Sequence, residues 1–230
     1  MSLVSILEKY RETFHPVIPF DPSTDKFYPF DLTDKNKAPG PELVADTESF
    51  AMYIHATLRA QHCRYGVGGY GEHRTLYARS RHFDGATEPR RLHLGTDIWG
   101  PAGTGVMSPL DGIVHSFAFN NNDGDYGATL ILTHNLEGTG FHTLYGHLSL
   151  NSLKNLQEGK AIRKGDTIGE FGMRFENGNW PPHLHFQLIR DMQDWKGDYP
   201  GVCKFSERAS WLDNCPDPEP VLQLGRFIEP

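Results

Sequence analysis

From about residue 75 onward the chain is a succession of short β-prone runs: TLYARSRHF (75–83), RLHLGTDIW (91–99), GIVHSFAF (112–119), ATLILTH (128–134), FHTLYGH (141–147) and HLHFQLI (183–189). Turn residues punctuate them at short intervals. That texture is the one expected of an all-β sandwich or barrel. Asp111-Gly112 stands between two runs and reads as a hairpin turn, and Lys164-Gly165-Asp166 reads as a second turn.

The chain before residue 75 has a different texture. Leu3, Ile6, Leu7, Tyr10 and Phe14 fit one face of a short helix. Residues 15–46 hold Pro16, Pro19, Pro22, Pro29, Pro39 and Pro41, which argue against a regular helix and for an irregular, extended arm. The run DTESFAMYIHATLRAQHC (46–63) has Asp46 or Thr47 as a cap, and Phe50, Tyr53, Ile54, Thr57 and Leu58 at helical spacing. The glycine-rich YGVGGYGEHR (65–74) reads as a loop; no helix pattern follows it, so a phosphate cradle is not expected. The tail KFSERASWLDNCPDPEPVLQL (204–224) reads as one short helical stretch and a Pro-broken end. The expected organisation is an N-terminal extension over 1–74, a β-rich domain over 75–195, and a tail over 196–230 that packs on the core.

Composition removes several functions. The net charge of −7 argues against a nucleic-acid binder, because phosphate contacts call for a basic face. No apolar run approaches the ~18 residues that a membrane span needs. The three cysteines, Cys63, Cys203 and Cys215, form no CxxC and make a poor disulfide framework; a Cys203–Cys215 bridge does not follow from spacing. The excess lies elsewhere, in 12 histidines, and it directs attention to metal or proton chemistry.

Five groups stand out. His183 and His185 lie in a strand-like run after Pro181-Pro182, and residues i and i+2 of a strand share a face. His93 and Asp97 are i and i+4, with Gly95 between them to let the backbone bend around a small ion. His147 ends the run FHTLYGH. Imidazole with carboxylate suits Zn²⁺, and a catalytic zinc takes three protein ligands. Two of the five groups then remain to handle protons. No HExxH is present, so the base work falls to histidine. Each piece alone has a plainer reading, as a surface or satisfied histidine; five together on a β-rich chain are harder to explain that way.

The order HLGTD, LYGHLS and PPHLHFQL resembles the M23 family of zinc metallopeptidases, the lysostaphin and LytM type, which hydrolyse peptide bonds in cell-wall peptidoglycan. SPLDGIV (108–114) and IRKGDTIGEFG (162–172) resemble the text around those motifs as well. The resemblance covers about residues 90–190. It implies a mainly β, M23-type antiparallel barrel or sandwich core, with the N-terminal helical and Pro-rich extension outside it. It also implies zinc on His93, Asp97 and His185, with His147 and His183 as the catalytic pair and a peptide or peptidoglycan-like substrate.

The other histidines are expected to be solvent-facing or satisfied. His142 is set aside because, in a regular strand, it faces away from His147; His115 and His134 lie on expected strands; His15, His55, His62, His73 and His82 precede the motifs. His73 alone of these could border a cleft. Two other functions are open. A non-catalytic module on the same fold is disfavoured by the presence of all five groups. A biotinyl or lipoyl carrier lacks its lysine, since the SPLDG turn has Asp111, and a phosphocarrier leaves HxxxD and HxH unexplained. The flanking segments resemble an M23 subgroup found with class III aminotransferase-like and kinase-like domains. With unpaired cysteines and an amphipathic start in place of an apolar leader, this sets an expectation of a cytoplasmic location.

Overall fold

The computed structural model describes residues 2–33, 35, 36, 38–74 and 88–228. The run TLYARSRHF and His82 lie outside them. The chain begins with helix α1 (Leu3–Tyr10), capped by Ser2, whose hydroxyl accepts from the Ser5 N–H. Its apolar stripe buries Leu3, Ile6 and Leu7, each worth about 1.5–3 kcal/mol of transfer free energy. Strand β1 (Phe27–Phe30), helix α2 (Pro41–Ala45) and helix α3 (Thr47–Ala60) follow. Asp46 caps α3 by accepting from the Ser49 N–H.

The Pro-rich arm is therefore more ordered than its prolines suggest. Pro41 stands in the first turn of α2, where its missing N–H has no intrahelical partner to lose. Pro29 lies in β1, which is the edge of the sheet. The glycine-rich loop is corrected too: Tyr65–Gly68 is strand β2. Its glycines are there for close approach. A Cβ at Gly66 would fall 2.2 Å from the Phe30 ring, and one at Gly68 2.6 Å from Nη2 of Arg74.

The remaining strands are β3 (Leu92–His93), β4 (Thr96–Trp99), β5 (Gly105–Met107), β6 (Gly112–Asn120), β7 (Gly127–Leu136), β8 (Thr139–Leu148), β9 (Ala161–Ile162), β10 (Thr167–Glu170), β11 (His183–Ile189) and β12 (Val202–Cys203), followed by helices α4 (Arg208–Asn214) and α5 (Glu219–Leu222). Among the described residues, eight strands form one sheet in the order β1-β2-β4-β11-β8-β7-β6-β9, antiparallel except for the β1–β2 edge pair. β5 pairs with β10, and β3 with β12, in two smaller sheets. The chain is mainly β, as the sequence implied.

Asp111-Gly112 is not a hairpin turn, because β5 leaves to pair with β10 while β6 enters the large sheet. The hairpin turn is Glu137-Gly138, between β7 and β8, with φ of 52° and 81°; two successive positive φ values match the twist of the strands it joins. Lys164-Gly165-Asp166 does turn, with Gly165 at φ 83°. The tail forms two short helices rather than one. Val221, Leu222 and Leu224 pack in the same core as Leu3 and Leu7. Both faces of β11 are covered: Leu184, Phe186 and Leu188 enter that core, while Ile189 enters a second one with Leu92, Ile131, Cys203 and Cys215. All seven residues of β11 are buried as a result. The three cysteines are free thiols.

Candidate metal centre

The β11 face opposite Leu184, Phe186 and Leu188 carries His183, His185 and Gln187. Strand pairing lays out the rest of the site. His185 is level with Asp97 of β4 and Gly146 of β8, and Asp97 is level with Gly68 of β2. Residues level across a sheet share a face, so one row reads Gly68, Asp97, His185, Gly146. The two polar groups have glycine on either side. That leaves room for Arg74 above Gly68 and for the Tyr126 ring above Gly146, where a Cβ would lie 2.5 Å from Tyr126 Cδ1. The next row pairs Trp99 with His183.

His93 arrives from the neighbouring small sheet. The chain breaks between β3 and β4 at Gly95, where a Cβ would sit 2.6 Å from both His185 Nε2 and the Phe186 carbonyl oxygen. The expected bend is present. His93 Nε2, Asp97 Oδ1 and His185 Nδ1 come together with separations of 3.0, 3.0 and 3.3 Å. Among the described residues they are the group of ligand atoms that could hold a metal ion.

The outer hydrogen bonds fix which nitrogens face inward. The Gln187 amide NH₂ donates to the Pro200 carbonyl, so its Oε1 accepts from His185 Nε2 at 2.9 Å. His93 Nδ1 donates to the Gly69 carbonyl at 3.0 Å. With each outward nitrogen carrying its proton, the inward nitrogen presents a lone pair. Two imidazole lone pairs and a carboxylate oxygen thus face one another across about 3 Å in a buried place. Such a set calls for a cation. Tetrahedral zinc with bonds of ~2.0–2.1 Å puts its ligand atoms about 3.3 Å apart, so the three groups fit it.

Electrostatics agree. Burial alone would raise the Asp97 carboxyl, but the nearby His93 ring and the Arg74 guanidinium outweigh it and hold the group well below its usual range. Burial, helped by the charge of Arg74, pushes His93 down to about 4. At neutral pH the carboxyl is ionised and the imidazole neutral, the states a metal binds.

His147 and His183 stand beside the triad as a stack, with ring centroids 4.1 Å apart, and Trp99 continues it 4.0 Å beyond His183. Each donates Nδ1–H to a backbone carbonyl, that of Asn177 at 2.7 Å and that of Pro181 at 2.8 Å. Their Nε2 lone pairs are left for the site, and His183 Nε2 is 3.9 Å from Asp97 Oδ1. Burial lowers His183 to about 4 and His147 well below its usual value, the latter aided by His183. Both rings line a cleft of about 790 Å³, counting the part open to solvent, together with Tyr126, Trp180 and Tyr199.

His147 reaches this face by an irregularity. Ala128 pairs with Leu148 but Leu130 with Tyr145, so β8 carries one residue more than β7 there. His147 occupies that bulge at φ 63°, a conformation that costs a non-glycine residue about 1–2 kcal/mol. In an unbulged strand it would follow the alternation of Phe141 and Tyr145 into the apolar core. This corrects the ground for setting His142 aside. His142 is level with Ile189 on the site's own face; it is excluded because it lies four residues from Gly146, about 13 Å along the strand, bonded to Thr133 Oγ1. His134 is satisfied by the Asp111 carbonyl and the Thr143 hydroxyl. His73 packs against Phe205.

Sequence reasoning missed Gln187, Trp99, Tyr126 and Arg74. The first two were legible as the i+2 neighbours of His185 and Asp97. The others come from 59 and 23 residues away and had no signal. Helix α3 supports the site from beneath: Phe50, Ile54 and Leu58 pack with Phe30 in a cluster that includes Trp99 and Trp180.

The sequence model for Peptidase family M23 matches residues 91–196. An L-Ala--D-Glu endopeptidase of Bacillus subtilis is 29% identical over 136 residues, 56% of this chain and 38% of that protein. The peptidoglycan DD-endopeptidase ShyC of Vibrio cholerae is 30% identical over 110 residues, 44% of this chain and 23% of that protein. The chain thus aligns with well under half the length of either relative. Among solved structures, the catalytic domain of lysostaphin from Staphylococcus simulans is 24% identical, with 75% of this chain and 97% of that one covered at a TM-score of 0.45. A zinc-containing peptidase from Vibrio cholerae is 30% identical over 43% of this chain and 27% of its own, at a TM-score of 0.34. All five sequence-predicted groups fall inside the matched segment, residues 91–196, which is similar to the peptidases of family M23.

Proposed function

We propose that this chain is a zinc-dependent peptidase that hydrolyses a peptide bond in a peptidoglycan-type peptide. The observation that carries the reading is the convergence of His93 Nε2, Asp97 Oδ1 and His185 Nδ1, with their outer bonds turning lone pairs inward. Zinc held by these three groups supplies Lewis acidity, lowering the pKa of a water toward ~7 and polarising a carbonyl. The chain's own contribution lies in the stacked pair. His147 and His183 are neutral, are oriented through Nδ1, and have Nε2 available. One takes the proton of the attacking water and passes it to the leaving amine. The other accepts a hydrogen bond through Nε2 from the second O–H of the same water and so aims it at the carbonyl carbon. Peptidoglycan peptide is the substrate class because one of the relatives named above is a peptidoglycan DD-endopeptidase.

The test is digestion of purified peptidoglycan by the zinc-loaded protein, read by mass spectrometry. New amine ends are expected, lost with a chelator and restored by zinc; intact peptides after full loading would refute the reading. Fractionation of cells carrying the full-length gene is a second test. Recovery in the periplasm or medium supports the cell-wall peptide, whereas recovery in the cytoplasm, the location expected from sequence, points to a small soluble peptide or amide.

A further inference from the structure

The glycine-rich segment before the peptidase motifs has a part in the site that the five groups do not explain. Arg74 is 1% exposed. Its Nη1 meets Asp97 Oδ2 at 2.5 Å, its Nε meets Glu72 Oε2 at 2.9 Å, and its Nη2 lies 3.4 Å from the Gly69 carbonyl. The two oxygens of Asp97 thus have separate neighbours: Oδ2 faces the guanidinium, while Oδ1 faces His93 and His185. The Gly69 carbonyl that accepts from Arg74 also accepts from His93 Nδ1, and the His93 N–H donates to the Glu72 carbonyl. One short segment, Gly68 to Arg74, therefore holds the outer side of two of the three ligands. It lies outside the part of the chain that matches the family model.

We propose that Arg74 is a positioning residue that occupies Asp97 Oδ2, so that Asp97 offers the metal one oxygen, and that Gly68 makes room for it. The inference rests on the reading of the triad as a cation site. A planar guanidinium is suited to this task. Its fork meets two carboxylates at once, in fixed directions, whereas an ammonium is a point charge on a flexible stem without that fixed fork. Asp97 left to itself has two equivalent oxygens and can rotate to present both. With Oδ2 bonded, rotation breaks a charge-assisted hydrogen bond in a buried place. The glycine at position 68 is required because its register partner is Asp97 itself, and the guanidinium passes through the space of the absent Cβ.

The experiment compares the parent with Arg74→Lys and Gly68→Ala. Arg74→Lys keeps the charge and loses the fork. Gly68→Ala keeps every charged group; its Cβ displaces the far end of the Arg74 side chain and asks the Trp99 ring, 3.3 Å away at Nε1, to give by a few tenths of an ångström, so it carries the test if Arg74→Lys does not fold. Zinc affinity is read by competition with a chromophoric chelator. The cobalt-substituted protein is read by its visible absorption, whose intensity falls as coordination rises above four. Zinc affinity about 10–100-fold weaker is expected in both variants, as for loss of other outer-shell partners, with weaker cobalt bands from a carboxylate that now supplies both oxygens. Folded variants with the parent's affinity and spectrum overturn the role of Arg74 alone. A parent that takes up neither ion overturns the cation site itself, and the role of Arg74 with it.

Discussion

Gly95→Ala is the sharpest test of how the fold holds the face that carries His93, Asp97 and His185. A Cβ there would lie 2.6 Å from His185 Nε2 and 2.6 Å from the Phe186 carbonyl oxygen, whereas ordinary contact begins near 3.4 Å. About 0.8 Å must be found at both atoms; the carbonyl belongs to a central strand, so the β3–β4 backbone at Gly95 is pushed away from it. The His185 ring must move, taking Nε2 from Gln187 and Nδ1 from the triad. Overpacking of this kind costs about 1–3 kcal/mol, and the lost hydrogen bond adds ~1 kcal/mol. Gly105→Ala is the control: Gly105 opens strand β5, its Cβ would meet nothing within 4 Å, and restricting the unfolded chain there should stabilise by about 0.4–1 kcal/mol. Urea unfolding of metal-free protein gives the stability difference, and chelator competition gives zinc affinity. Gly95→Ala should unfold at clearly lower urea than Gly105→Ala and hold zinc at least ~10-fold more weakly. Equal midpoints and equal affinities would show that the β3–β4 bend does not position His185.

The remaining predictions concern charge and proton transfer. Asp97→Ala removes the charged ligand and should abolish tight zinc binding, measured by equilibrium dialysis; a variant as tight as the parent would remove Asp97 from the ligand set. His147→Ala and His183→Ala should keep zinc and the folded state while losing about 10²–10⁴-fold in turnover of a cleaved substrate, and unchanged rates would take both out of the mechanism. Burial holds His134 at about 4 in the folded protein, against the opposing pull of the Asp111 carbonyl. Because the folded value lies below the unfolded one, the unfolded chain takes up the proton first. Stability is therefore lost as pH falls from about 6.5 toward 4, by about 3 kcal/mol over the full interval. Urea unfolding at pH 7 and pH 5 should show this loss reduced in His134→Gln; an identical pH dependence would refute it.

The sequence determined the parts of this protein that depend on local pattern. The alternation in HLHFQLI put His183 and His185 on one face, Gly95 bent the chain between His93 and Asp97, and the spacing of Phe50, Ile54 and Leu58 specified α3. Period and turn chemistry act over a few residues, so they can be read along the chain. What the tertiary structure decided depends on which strands become neighbours. Pairing of β2 with β4 turned a supposed loop into a wall of the site and brought Arg74 to Asp97. Pairing of β11 with β8 left Gly146 under Tyr126. The bulge at His147 is the clearest case. Regular alternation would send that ring into the apolar core, and a mismatch of one residue between β7 and β8 turns it toward the face of Asp97 and His185 instead. No local pattern in FHTLYGH encodes that turn, because its cause is the register of a neighbouring strand and the contacts that hold it there.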